Sequence, residues 1–379
     1  MMKKQTVNVR DFSLLFALAA IWGFFSIMQP EFLGSRNLSM LTIELSTTAV
    51  AALGMLLIIL LGHIDLSVGS CIGLTGGIAS VLIFKFGWSA PAAMGMALCA
   101  GLAIYAIMGV LIAREGIPAF IITLAGLLIY KGLFWKVIGN STIPVKVGDV
   151  SNAMSRLTTS YLPAWAGWGL AAGITLLLAI SAWKGRSRRI SYGFTVEDTE
   201  LTIGKVLITG QILALTVAVL NQFRGVPLSM VVLGVTAAAI WVLTQQTRFG
   251  RYLYATGGNP EAARISGVPV FAVTVGAFLV AGITATITGF MQTAYAGAST
   301  TTTGDLMELD AIAACVIGGT SLMGGRGTVI GVLTGAFLVS SLMNGMTLMA
   351  VSPETKFIAR GAVLALAVWM DVRLSRRGA

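Results

Sequence analysis

Residues 38–70 read LSMLTIELSTTAVAALGMLLIILLGHIDLSVGS. Positions 38–61 carry a single charge, Glu44, and run into a polar break, Gly62-His63-Ile64-Asp65-Leu66-Ser67-Val68-Gly69-Ser70. A helix needs about 20 mainly apolar residues to cross the ~30 Å hydrocarbon core of a bilayer. Residues 38–61 meet that length, and working outward the pattern recurs on both sides. Apolar runs occupy 12–28, 71–86, 89–113, 118–137, 163–183, 204–222, 227–245, 271–294, 327–349 and 356–373; residues 308–319 are too few to span and read as a half-helix. The expected fold is all-α: a polytopic membrane helix bundle of twelve hydrophobic segments, broken and half helices included.

Composition points the same way. Of 379 residues, 56% are hydrophobic and 11% charged, against roughly 25% charged in a soluble chain. Too few charges remain to cover so much apolar surface in water, so the solvent is a bilayer. The net charge of +10 would suggest nucleic acid in a soluble protein. Here the basic residues gather at segment ends. Lys3, Lys4 and Arg10 precede the first run; Lys184, Arg186, Arg188 and Arg189 follow the sixth; Arg248 and Arg251 follow the eighth; Arg373, Arg376 and Arg377 end the last. Alternating segments put all of them on one side, which the Lys/Arg rule makes cytoplasmic. Both termini are then cytoplasmic, and no nucleic-acid partner is expected. Loop 138–162 falls outside, with Lys146 and Arg156 against the trend. The chain divides into a tail over 1–11, a membrane domain over 12–373 with a cytoplasmic loop at 246–270, and a tail over 374–379.

Start signals mark several segments. Asn37 is placed to cap the second helix, and Pro118, Pro163 and Pro227 suit first-turn positions. A second break, Gly318-Gly319-Thr320-Ser321-Leu322-Met323-Gly324-Gly325-Arg326-Gly327-Thr328, mirrors the first. Paired interrupted segments are a pointer to internal repeats in transporters.

Catalytic motifs are missing. There is no GxxxxGK[ST] phosphate loop and no HExxH. The one histidine, His63, leaves no Ser-His-Asp set, and Cys71, Cys99 and Cys315 lack CxxC spacing. The chain is therefore not expected to be an enzyme or to hold a cofactor or metal, and the cysteines read as small packing residues.

The most informative loop is Thr256-Gly257-Gly258-Asn259-Pro260-Glu261-Ala262-Ala263-Arg264-Ile265-Ser266-Gly267. Asn259 suits an N-cap, Pro260 the first helical position, and Glu261 the positive helix end. Gly267 suits a left-handed terminus. Ala262 and Ala263 give a face small enough to enter a groove, and Arg264 completes the rod. Such a short helix is unstable alone. It either packs on its own bundle or docks on a cytoplasmic partner.

Gly-Gly-Asn-Pro-Glu-Ala-Ala-Arg-Ile-Ser-Gly over 257–267 resembles the Glu-Ala-Ala…Gly coupling motif of ABC importer permeases. The stretches at 64–70, Pro118-Ala119-Phe120-Ile121-Ile122-Thr123-Leu124-Ala125-Gly126, and 308–321 resemble the ribose/xylose/arabinose/galactose permease family. The likeness runs from about residue 30 to the C-terminus, and a segment over roughly 163–226, absent from shorter ribose-type members, places the chain nearest the xylose-type members. The resemblance implies a bacterial inner-membrane permease subunit, paired with a second copy of itself. It would pass a monosaccharide, D-xylose or a related pentose, from a periplasmic sugar-binding protein. It also implies cytoplasmic ATP-binding subunits that hold ATP and Mg²⁺ and grip Asn259, Pro260, Glu261, Ala262, Ala263, Arg264 and Gly267. The competing class is a stand-alone channel or secondary carrier for small polar solutes, which needs no docking helix.

A charge at mid-bilayer costs at least ~2.5–3.5 kcal/mol, so each polar residue in an apolar run needs a reason. The expected translocation path takes in Glu44, Asp65, Ser67, Phe120, Glu308, Asp310, Thr320 and Asn344. Structural readings compete. Asp65 and Ser67 can cap a helix starting at Leu66; Glu308 and Asp310 can be first-turn acids; Asn344 can bridge helices.

Overall fold

The computed structural model describes residues 9–194, 196 and 198–377. Among them are fifteen α-helices, a 3₁₀ turn and two very short strands. In chain order these are α1 (Val9–Met28), α2 (Ser35–Leu60), α3 (Val68–Phe84), α4 (Ala90–Glu115), α5 (Ala119–Ile138), β1 (Ile143–Pro144), α6 (Ala153–Thr159), α7 (Ala164–Ser191), α8 (Thr199–Asn221) and α9 (Leu228–Gln246). There follow α10 (Arg248–Gly258), α11 (Pro260–Ile265), α12 (Val270–Ala296), β2 (Ala298–Ser299), α13 (Met307–Ile317), α14 (Val329–Leu348) and α15 (Pro353–Arg377). Every apolar run is a helix. The additions, α6, α10 and α11, lie in connecting loops, where hydropathy carries no signal. Among the described residues, eight helices are long and apolar enough to cross a membrane: α2, α4, α5, α7, α8, α9, α12 and α14. The protein is a multi-span membrane protein.

Helix α2 is its centre. Every residue from Ala49 to Leu60 is buried, as a helix apolar on all sides requires. Around it stand α9, α12, α13 and α14. The α7–α8 pair stands apart: the two pack on each other, and α8 reaches the body at α2.

Two ends can be distinguished. At one, β1 pairs antiparallel with β2 (Ile143 opposite Ser299), and the 160s loop meets the start of α9 through Leu162 N–H donating to Val226 O at 2.8 Å. At the other, Gly325 N–H donates to Leu60 O at 2.9 Å. Helix alternation places the basic residues that close α7, open α10 and close α15 at this second end, together with α11. Lys3 and Lys4 lie outside the described residues, as does most of the 1–11 tail; residues 9–11 belong to α1, and α15 continues into the 374–379 tail as far as Arg377.

Five start signals differ from expectation. Asn37 does not cap α2, which begins two residues earlier behind Gly34. Pro118, Pro163 and Pro227 sit one position ahead, as N-caps of α5, α7 and α9. The helix after the first break begins at Val68, not Leu66, because Asp65 spends its side chain inside the break.

Candidate functional site

One polar cluster opens at the surface near the strand end. Glu44 lies nine residues into α2, or ~14 Å along it. Tyr295, in the last turn of α12, donates its hydroxyl to Glu44 Oε1 at 2.8 Å. Asn344 of α14 donates Nδ2 to Glu44 Oε2 at 3.3 Å, and Asn37 Nδ2 donates to Asn344 Oδ1 at 2.9 Å. Asn344 itself is buried, whereas Tyr295 is 37% exposed. Three helices thus aim an acid, a phenol and an amide at one point, and the carboxylate keeps free lone pairs. A carboxylate at that depth is too costly to leave against lipid. Its open side therefore meets water or protein, and its chemistry suits hydroxyl donors.

Asp65 and Ser67 are placed differently. Asp65 is 1% exposed and fully engaged. Its Oδ1 accepts from Ser67 N–H at 2.8 Å and Ser67 Oγ at 2.7 Å, an Asx-type turn. Its Oδ2 accepts from Tyr105 of α4 at 2.7 Å. The pair fixes the first break to α4 and faces no opening. Glu308 is buried in the first turn of α13 against α3, its Oε2 lying where a side chain at Gly69 would begin. Asp310 pairs with Arg360 of α15 at 3.0 Å, so it holds two helices together. Thr320 is buried in the second break, and its hydroxyl finds no partner among the described residues. Phe120 is exposed and lines a cavity of about 310 Å³ with Gly62, His63 and Pro118. Of the eight path residues, the structure brings Asn344 to Glu44 and Ser67 to Asp65, and only the first pair belongs to a cluster that reaches the surface.

Three further side chains in these polar contacts were not singled out from the sequence. Tyr105 lies inside the 89–113 run and Tyr295 one residue past the 271–294 run, and neither position carries a sequence signal for the acid it meets. Lys131 sits within α5, pairs with Asp305 and donates to Thr301 O at 2.9 Å, between the Phe134 and Trp135 rings. A lysine inside a spanning run was a readable signal for it.

The loop over 246–270 folds into α10 and α11. Asn259 caps α11, its Oδ1 accepting from Ala262 N–H at 2.9 Å. Pro260 opens the helix and Glu261 sits in its first turn. Gly267, at φ 81°, closes it: Gly267 N–H donates to Arg264 O and Val268 N–H to Ala263 O, both at 3.0 Å. That is a Schellman terminus. The two alanines do not share a face, because Ala263 is buried and Ala262 exposed. The outward apolar residue is Ile265, at 88% exposure.

Behind this rod lies a junction of three backbones. A Cβ at Gly257 would stand 1.7 Å from Leu60 O and 2.7 Å from Gly325 N. Gly324, at φ 84°, would place a Cβ 2.7 Å from Gly257 O. Tyr254 of α10 donates to Gly327 O at 2.8 Å and accepts from Gln245 Nε2 at 3.1 Å; burial pushes its phenol pKa up, so it stays a donor. The end of α10 therefore touches the entry to the first break and the body of the second.

Comparison with known proteins agrees with this organisation. Residues 37–368 match the family described as branched-chain amino acid transport system / permease component. The chain is 38% identical to the xylose transport system permease protein of Escherichia coli over 374 residues, covering 98% of this chain and 94% of the relative. It is 36% identical to the Haemophilus influenzae protein of the same name, covering 98% of each. It is 32% identical to the ribose import permease protein of Escherichia coli, covering 94% of this chain and 92% of the relative. No solved structure matches.

Proposed function

Since the chain belongs to the branched-chain amino acid transport system / permease component family, we propose that it is the membrane subunit of an ATP-driven sugar importer of the bacterial inner membrane, carrying D-xylose or a related pentose. The observation that carries this reading is the α11 rod. It is capped at both ends, offers an exposed Ile265, and is joined through Gly257 to the two broken segments. A stand-alone carrier has no use for such an element.

The labour divides as follows. ATP-binding subunits grip Asn259–Gly267 from the cytoplasm and supply the ATP and Mg²⁺ chemistry. Movement of α10–α11 passes at Leu60 and Gly325 into the breaks. A second copy of the chain covers the open side of the Glu44 cluster, so that sugar delivered by a periplasmic binding protein meets Glu44, Tyr295 and Asn344 on the way in. Sugar hydroxyls donate to the carboxylate, while the phenol and amide hold it in place. Xylose follows from the names of the relatives, because Glu44, Tyr295 and Asn344 suit any small polyol.

Glu261→Arg tests the coupling role. It reverses the charge at the positive end of α11 and changes nothing buried. We expect the chain to insert and fold normally while ATP-driven uptake falls at least tenfold. Unchanged uptake removes α11 from the coupling path.

A further inference from the structure

The connection between α12 and α13, residues 297–306, dips into the bundle along α5. Lys131 of α5 donates to Thr301 O at 2.9 Å and pairs with Asp305, and Trp135 Nε1 donates to the same carbonyl at 3.1 Å. Lys131 lies seven residues, or ~10 Å, before the last residue of α5, so the connection reaches that depth. Gly304, at φ 86°, presses on α3: a Cβ there would stand 2.1 Å from Gly69 O. Irregular backbone within a membrane domain survives only where it is buried in protein or lines water. Here each condition holds on one side. Thr303 and Gly304 are buried, whereas Thr302 and Asp305 are exposed.

Anchoring at the membrane interface does not account for the α5 residues. A tryptophan of an interfacial belt turns its N–H to the wet side. Trp135 gives its N–H to a carbonyl of its own chain and is still 43% exposed, so it offers a ligand its apolar ring. A lysine near the end of a spanning helix extends its charge to the surface. The Lys131 side chain is only 18% exposed and spends its ammonium on the connection.

What remains outward is a mixed surface. Asp305 Oδ1 takes Lys131, and Oδ2 has no partner among the described residues. The Thr302 hydroxyl meets only that of Thr300, at 3.2 Å. The Trp135 ring, 5.6 Å from Lys131 Nζ at its centre, joins them at Thr301. A carboxylate oxygen and a hydroxyl suit the hydroxyl groups of a sugar, and an aromatic ring suits its C–H face. Because Lys131 and Asp305 cancel each other's charge, the surface favours a neutral ligand over an ion.

We propose that Trp135, Thr302 and Asp305 form a second sugar station, taking a neutral pentose, with Lys131 positioning Asp305. The station rests on the sugar reading of the chain and adds to the Glu44 cluster: the connection that carries Thr302 and Asp305 begins directly after the α12 turn that carries Tyr295.

The test uses the full chain in lipid nanodiscs, labelled with fluorotryptophan and without any ATPase. The Trp135 fluorine signal is assigned by its absence from Trp135→Phe and followed while D-xylose is added. It should shift saturably, and glycine betaine, which has no hydroxyl group, should not move it. Thr302→Val, equal in shape, should raise the half-saturating D-xylose concentration at least threefold, and Thr302→Ser, which restores the hydroxyl, should return it to within twofold of wild type. A Trp135 signal that does not move, or moves equally with glycine betaine, overturns the proposal. So does a Thr302→Val titration equal to wild type, or a Thr302→Val protein that mass photometry finds dissociated into single copies, since this face would then be a contact between copies. Any of these results leaves ATP-driven uptake standing, while uptake that needs no ATPase would remove the importer reading and leave the station.

Discussion

The space a side chain at Gly257 would fill is occupied by the carbonyl oxygen of Leu60, 1.7 Å from the Cβ position. Neither atom can yield without moving a backbone, since one ends α10 and the other ends α2. Gly257→Ala should therefore push α10 away from both breaks. Expected is a fall in ATP-driven uptake of at least tenfold, with membrane insertion intact and the ATPase still bound. Gly258→Ala is the matched control, because a Cβ there meets nothing within 4 Å; its uptake should stay within twofold of wild type. Uptake assays on vesicles carrying each variant provide the check.

The Glu44 cluster calls for a change in sugar handling without a change in coupling. Glu44→Gln keeps the shape and removes the charge, and Tyr295→Phe removes one donor at 2.8 Å. A lost hydrogen bond to a charged group is worth ~1.5–3 kcal/mol, or about 10-fold to 150-fold in the half-saturating sugar concentration if it acts on binding. ATPase activity without sugar should not move. Concentration-dependent uptake, with ATP hydrolysis followed in parallel, separates the two quantities.

Asp310 and Arg360 form a mostly buried pair at 3.0 Å. Removing one member strands a charge, which costs ~3–5 kcal/mol when burial is complete and less here. Asp310→Asn should lower the melting temperature clearly. Asp310→Asn combined with Arg360→Met should recover part of the loss, because no unpaired charge remains. A double-mutant cycle by thermal melting reads this coupling.

Ile265 projects from α11 at 88% exposure. An apolar side chain so displayed on a charged face is a natural anchor for a partner. Ile265→Glu should reduce ATPase retention on affinity purification at least tenfold. Asn259→Ala, which removes the α11 cap at a cost of about 1 kcal/mol, should give an intermediate loss.

The spanning helices were legible because hydropathy over twenty residues is a strong, local signal, and every apolar run became a helix. Helix α11 was legible for another local reason: Asn259, Pro260 and Gly267 each fit one position of a capped helix. What stayed hidden depends on contacts distant in sequence. Asn37 looked like a cap because Asn often is one, but its amide is taken by Asn344, 307 residues away. Asp65 looked like a path residue or a cap, and only the tertiary fold brings Tyr105 to its second oxygen. Ala262 and Ala263 read as one face, although neighbours on a helix point about 100° apart. The Gly257–Leu60 contact had no sequence signal beyond glycine itself.

The most direct measurement reconstitutes the chain in vesicles with a cognate ATPase, a sugar-binding protein and labelled D-xylose. Uptake should require all three proteins and ATP, and Glu261→Arg should abolish most of it. Equal uptake without the ATPase would contradict the account, since α11 would then be joined to the breaks with no motor to move it.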